Sequence, residues 1–426
     1  MIVKGYCRPL PIAIFCGIGK PDLSSFLTKL CAELTLFTTC GVFILNQVVK
    51  ISGIQFICDA PARSYLQCIK GHSGYYGCGY CRQKGLYLED RIIFPDVFFE
   101  SRDDNGYLNF RENNQISESP LLGIVPLYSG FPPDYMHLCC LGVMRKLCHY
   151  FFTPTKGVRL ACKLSRSKVK ELSHLIESFK SCLPREFQRK PRSLSELEHF
   201  KATEFRNLLL YLGPFFFKSF LVDEYYQHFL LLHYAMYIFV STRFSYLYDL
   251  AERCIQVFVN DSMKLYGRKS LIYNVHTLLH LSHFVKLYGP VDTFSCFPFE
   301  NHLSILKKRI YSNSCVFKQS VDQLFQIRSI YTNSSSDYLF FSKTSPDNCA
   351  IVQNNEIVLV DSVVSGCRIS GYFLIFSHNL YSTPYPSKSL GIGYYKKTKK
   401  FVSDCVPVSK AICILVEDCY LIIPYA

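Results

Sequence analysis

The strongest constraint on the fold is a pair of cysteine and histidine motifs that lie far apart in the chain. Gly77-Cys78-Gly79-Tyr80-Cys81 closes a glycine-rich run, residues 71–81. A CxxC between glycines is the knuckle that lets two thiolates grip one tetrahedral Zn²⁺. Alone it is half a site, and two reduced structural cysteines are the plainer alternative. A redox pair fits less well, because no thioredoxin-like strand precedes it. His276-Thr277-Leu278-Leu279-His280 can supply the other half. A spacing of four puts both imidazoles on one helix face, with His283 as an alternative or outer partner. An isolated HxxxH is usually a helix with surface histidines; beside a CxxC it completes a Cys₂His₂ site.

The chain has 426 residues, 49% of them hydrophobic. That is length for two or three domains and enough apolar material to exclude disorder over most of the chain. Lys and Arg exceed Asp and Glu by 47 to 33, a net charge of +14. The excess favours a polyanionic partner, nucleic acid first. The 21 cysteines are scattered through apolar stretches, unlike a small secreted disulfide scaffold, and fit a reducing compartment. No membrane span is expected: the uncharged segment 34–49 is shorter than the roughly 20 residues needed and carries Thr38, Thr39, Asn46 and Gln47. A signal peptide in the first 19 residues is disfavoured by Pro9 and Pro11.

Residues 12–17 and 48–58 read as strands, and residues 22–39 and 62–69 as helices, the second opening after Pro61. The alternation implies a mixed α/β core. Residues 84–122 read as a polar loop. Helical patterns run from about 134 to 287, broken at 185–192, with a further helix over 299–311. From about 334 onward short β-type runs, such as 356–360, 371–376 and 412–417, predict a small all-β module.

Asp59 ends the second apolar run, at the strand edge where α/β folds bind ligands and metals. Local sequence favours a plainer role, capping the helix that follows. Glu300 lies in the first turn of its helix among Phe297 and Phe299, a position that reads as buried. Asp134 and His137 share a helix face and read as a cap before anything else. The basic stretches 185–192 and 307–309 are candidates for phosphate contact. Lys396, Lys397, Lys399 and Lys400 read as a solvated turn.

In order and spacing, Asp59, the CxxC, the HxxxH and Glu300 resemble the transposases of the CACTA group and the catalytic subunit of the V(D)J recombinase. The stretches Ile57-Cys58-Asp59-Ala60-Pro61-Ala62-Arg63, residues 70–81, Asp134-Tyr135-Met136-His137, Arg189-Lys190-Pro191-Arg192-Ser193-Leu194 and Lys201-Ala202-Thr203-Glu204-Phe205-Arg206 look like those of animal CACTA-type transposases. The similarity runs through nearly the whole chain.

The resemblance implies an α/β, RNase H-like core split by a helical insertion and followed by the small β module. The implied divisions are residues 1–140, 141–265, 266–333 and 334–426. It further implies DDE chemistry, with carboxylates holding Mg²⁺ (or Mn²⁺) for strand cleavage and transfer of DNA. Asp59 matches the second acid and Glu300 the third. Structural Zn²⁺ would join Cys78 and Cys81 to His276 and His280. The implied partners are transposon ends and target DNA, met in the nucleus by a homodimer. The family's first acid has no counterpart. Eleven residues precede Ile12, none of them acidic, and Asp22 belongs to a helix start. The chain is therefore expected to be cut short at its N-terminus, without the first core strand. Whether it is an enzyme stays open, the alternative being a transposase-derived DNA-binding or structural protein without catalysis.

Overall fold

The computed structural model describes residues 9, 11–51, 53–153, 160–308, 310–312, 316–319, 339–364 and 368–426. It is a mixed helix-and-strand chain in two compact units, Met1–Leu138 with Arg268–Ser336, and Cys139–Gly267 with Asp337–Ala426. The helical insertion and the β module thus belong to one unit, where two separate domains were expected. The first two divisions fall near residues 140 and 265; the third, at 333/334, lies outside the described residues.

In the first unit, α1 (Leu23–Thr39) begins where the Asp22 carboxylate accepts the Ser25 N–H at 2.9 Å. It buries Leu23, Leu27 and Leu34, the helical spacing read from the sequence. β1 (Val42–Ile44) and β2 (Gln47–Val49) form an antiparallel hairpin. The two runs read as core strands behave differently. Residues 12–17 form no strand, and the described part of 48–58 holds only the end of β2 and an isolated parallel bridge between Cys58 and Pro133. Apolar alternation supplies a face for a strand but not the ladder partner its N–H and C=O groups need. Phe43 (70%) and Val48 (61%), which pair with each other in the hairpin, stay exposed. The expected RNase H-like sheet has no ladder in these segments.

α2 (Ala60–Leu66) follows Asp59, with Pro61 in its first turn. Residues 84–122, expected to be an open loop, are tied down. β3 (Leu86–Leu88) pairs with β4 (Arg91–Ile93), and Asp103 caps α3 (Asp104–Leu108). Arg102 Nη1 meets Glu112 Oε2 at 2.7 Å with both side chains fully buried. Several polar residues of this stretch thus serve inside the structure, Asp103 as a cap and Arg102 and Glu112 as an ion pair.

The chain turns helical in a wide π-type stretch, Met136–Met144, near the expected start. Then come α4 (Arg145–Phe152), α5 (Arg166–Ser178), α6 (Ala202–Asn207), α7 (Gly213–Phe216), α8 (Asp223–Val240) and α9 (Tyr248–Tyr266). From Tyr225 onward α8 is buried at every position except Gln227 and Leu231, as its continuous apolar sequence predicts. Its histidines are satisfied there: His228 Nε2 lies 2.9 Å from Phe258 O and His233 Nδ1 2.9 Å from Leu209 O. The basic stretch 185–192 is largely engaged internally. Arg192 binds Glu204 and Glu196 (2.6 and 2.7 Å), Arg185 approaches Asp347 (3.5 Å), and Lys190 donates to Pro184 O (3.0 Å).

α10 (Tyr273–Tyr288) and α11 (Phe297–Lys308) follow in the first unit. Arg309, part of the second basic stretch, lies outside the described residues.

The C-terminal strands of the second unit are β5 (Cys349–Val352), β6 (Ile357–Val364), β7 (Arg368–His378), β8 (Gly393–Cys405), β9 (Pro407–Val416) and β10 (Cys419–Pro424). They close an antiparallel barrel in the order β10-β8-β7-β6-β5-β9. Alternate residues feed two apolar clusters. Cys349, Ile351 and Ile357 enter one; Ala350, Val352 and Val358 enter the other. Closure removes the open edges that a sheet of this size would expose. The lysine cluster 396–400 sits on β8, where a turn was expected.

Candidate metal centre

The knuckle is built by close backbone approach. A Cβ at Gly77 would lie 2.6 Å from Gly71 O, so only glycine fits there. The Tyr80 N–H donates to Cys78 Sγ at 3.4 Å, and Cys81 bridges Ser101 in a short antiparallel contact. Arg102, held by Glu112, donates from Nε to Cys78 O at 3.1 Å. The loop is thus anchored by a buried ion pair before any metal is considered.

On α10, His276 and His280 turn the same way, one helical turn apart. Their Nε2 atoms are 3.3 Å apart; His280 Nε2 lies 3.4 Å from Cys78 Sγ, and His276 Nε2 lies 3.2 Å from Cys81 Sγ. All four donor atoms fall within 4.8 Å of one another, and all four residues are buried. Metal–ligand lengths of about 2.3 Å for Zn–S and about 2.0 Å for Zn–N imply tetrahedral edges of roughly 3.3–3.8 Å. The donor set therefore suits a tetrahedral cation of zinc's size. Phe94 and Phe99 pack on the imidazoles at centroid distances of 5.0 Å (Phe94–His276) and 4.5 Å (Phe99–His280). His283 is not one of the four; its ring lies against Tyr128.

The two thiols behave as one system. Burial opposes charge on Cys78, but its hydrogen bond with Cys81 and the charges of His280 and His276 outweigh that and drive its pKa well down. The same bond, with burial, drives Cys81 up. A cation bound between the two sulfurs would hold both as thiolates.

Beside this centre lies a small, open pocket lined by Cys58, Asp59, Arg63, Asp134, His137 and Thr277 among others. Asp59 is half-buried and caps α2, its Oδ1 accepting the Ala62 N–H at 2.8 Å. The capping role favoured by local sequence is therefore present. Glu300 is exposed in the first turn of α11, whereas the sequence suggested burial. Phe297 and Phe299 are themselves only half-buried there.

Asp134 is the surprise. Its carboxylate accepts from Met136 N (3.2 Å) and His137 N (2.9 Å), the capping role expected. It also binds His137 Nδ1 (2.6 Å) and accepts the Cys296 N–H (2.7 Å). Cys296 O in turn accepts the Glu300 N–H at 2.9 Å. The hydrogen bond to Asp134 raises the His137 pKa, burial opposes it, and the charges of Asp134, Asp59 and Glu300 add to the rise. Asp59 and Glu300 thus act on one imidazole. Among the described residues, however, neither joins a group of three donor atoms within 4.8 Å; Asp134, His137 and Cys296 do.

Arg63 was quoted in the sequence only as part of a motif, and the structure gives it a place. It is 3% exposed, donates from Nη2 to the Tyr273 hydroxyl at 2.6 Å, stacks over Tyr80 at 4.5 Å, and leaves its Nε without a partner. No carboxylate pairs with it among the described residues. A buried guanidinium without a carboxylate partner, beside Asp59, is a positive wall in an otherwise acidic pocket. Its sequence signal is its position four residues after Asp59, one helical turn on.

No helix among the described residues is long and apolar enough to cross a membrane. Among known proteins, no family model matches this chain and no curated protein matches it.

Proposed function

We propose that the chain is a CACTA-type, DDE transposase-like protein whose first unit derives from an RNase H-like core acting on DNA phosphodiesters. The reading is supported chiefly by the Cys₂His₂ donor set, whose halves lie far apart in sequence, together with the order Asp59, CxxC, HxxxH and Glu300 on which the family resemblance rests. Asp59 and Glu300 would hold Mg²⁺ or Mn²⁺, hard cations that prefer carboxylate oxygen. Such ions, when bound, activate the attacking oxygen and stabilise the leaving one. Asp134 does not stand in for the family's first acid, because N–H donors and His137 already engage both its oxygens. Cys78, Cys81, His276 and His280 would hold structural Zn²⁺, cross-linking the knuckle to α10. In this reading the protein works in the nucleus, as a homodimer, on transposon ends and target DNA. The test is Mg²⁺-dependent cleavage of transposon-end duplexes by the purified chain. Cleavage lost in Asp59→Ala supports the catalytic reading, and no cleavage in either protein removes it.

The second reading, DNA binding without strand cleavage, draws on the barrel. Lys396, Lys397, Lys399 and Lys400 are crowded onto β8, and no carboxylate pairs with any of them among the described residues. Lys397 lies 3.9 Å from the Tyr372 ring centroid and Lys400 lies 4.7 Å from that of Phe373. Cations held in place by rings on an ordered strand suit a polyanion better than a solvated turn would.

A further inference from the structure

We infer that the β7–β8 ribbon of the barrel binds single-stranded DNA, a base stacking on the exposed Phe401 ring while the surrounding β8 lysines hold backbone phosphates. This rests on the second reading above, DNA binding through the barrel, and adds the form of DNA and the ring that selects it.

The ribbon is irregular where the lysines cluster. Tyr372 pairs with Phe401 and Leu374 with Lys397, so Phe373 alone stands opposite the three residues Thr398, Lys399 and Lys400. The Thr398 hydroxyl fastens this bulge, donating to Phe373 O at 2.9 Å and accepting the Lys400 N–H at 3.2 Å. A bulge bends the strand that carries the extra residues and re-aims its side chains. Lys397 lies over Tyr372 and Lys400 over Phe373, two rings that neighbour each other along β7, while Lys396 pairs across the ladder with Ile375. The four cations therefore surround the bulge instead of lining one flat face.

Charge complementarity names the partner as a polyanion. All four lysines are exposed, and no carboxylate pairs with any of them among the described residues. Asp404, farther along the same strand, is engaged by Arg368 at 2.6 Å. Cations spread around a bend suit a backbone that can follow it, and duplex DNA is stiff over roughly 50 nm.

Phe401 then separates the two forms of DNA. Its ring is 47% exposed and meets Tyr372 edge to face at a centroid distance of 5.1 Å, which holds it in one orientation. A duplex keeps its base faces inside its own stack and offers this surface only phosphates. A single strand offers phosphates and free base faces together, and an exposed ring among lysines takes both.

The test uses the full chain, with fluorescence anisotropy of a labelled oligo(dT) and of a duplex of the same length. Phe401→Ala should weaken oligo(dT) binding by about fivefold or more, the contribution of one stacked base, and leave duplex binding unchanged. The chain contains no tryptophan, so Phe401→Trp places a single indole at this point. That variant should keep its affinity for oligo(dT), and its indole fluorescence should be quenched by oligo(dT) and not by duplex. Equal losses on both DNA forms in Phe401→Ala, or an unquenched indole in a Phe401→Trp protein that binds oligo(dT), overturn the inference. Lysine-dependent duplex binding in the same protein then leaves the second reading standing. Binding of neither form removes both, and tighter binding of oligo(U) than of oligo(dT) overturns the inference in favour of RNA. Phe401→Trp keeps an aromatic ring in place, so the quenching measurement decides the matter even where Phe401→Ala fails to fold.

Discussion

The Asp134 carboxylate accepts the backbone N–H of Cys296 at 2.7 Å, joining two points 162 residues apart. Pro133, one residue earlier, bridges Cys58 immediately before Asp59. Cys296 O receives the Glu300 N–H at the start of α11. One dipeptide, Pro133-Asp134, therefore sets the backbone positions of both candidate acids. The carboxylate between them ties both main chains to one point of the first unit.

Removing that carboxylate should be costly. Asp134→Ala deletes a helix cap and strands the Cys296 N–H, so the first unit should lose about 2–4 kcal/mol. Hydrogen exchange at the Cys296 and Glu300 amides should accelerate more than at α1. Unchanged exchange at both would refute the clamp.

The Asp134–His137 pair also gives stability a pH signature. Folding raises the His137 pKa, so the folded chain holds that proton more tightly than the unfolded chain does. The stabilisation is fully present below the unfolded value of about 6.5 and is lost as pH rises through the higher folded value. Urea unfolding of the native protein and Asp134→Asn, compared between about pH 6 and pH 9, should show the native advantage shrinking as pH rises. An advantage that grows with pH contradicts the assignment.

Zinc is expected at one ion per chain in the proposed Cys₂His₂ centre. Cobalt substitution should give intense tetrahedral d–d bands with thiolate-to-metal charge transfer. Cys78→Ser should abolish stoichiometric binding and lower Tm, whereas His283→Ala should keep the ion, because His283 stands outside the donor set. Loss of metal in His283→Ala would mean that the donor set is wrong.

The β8 lysines should govern non-specific DNA affinity if the barrel touches duplex. Replacing Lys396, Lys397, Lys399 and Lys400 by Gln should flatten the slope of log Kobs against log salt concentration. The expected change is about 0.9 for each phosphate no longer neutralised. Fluorescence anisotropy over a salt series measures it, and an unchanged slope removes these residues from the interface.

Much of this protein was determined by local sequence. Asp22 and Asp59 cap the helices that follow them, the glycines around Cys78 permit the knuckle, and HxxxH turns both imidazoles to one face of α10. These features depend on residues within a turn or two of one another, so near-neighbour chemistry fixes them. The β-type tail was legible for the same reason, although its closure into a barrel was not. Only the tertiary structure decided the rest. It left residues 12–17 without a strand partner, exposed Glu300, and gave the basic residues of 185–192 to Glu204, Glu196 and Asp347. It also turned Asp134 from a helix cap into the clamp on Cys296. A carboxylate's distant partner is chosen by how the chain packs, and no spacing along the sequence encodes it.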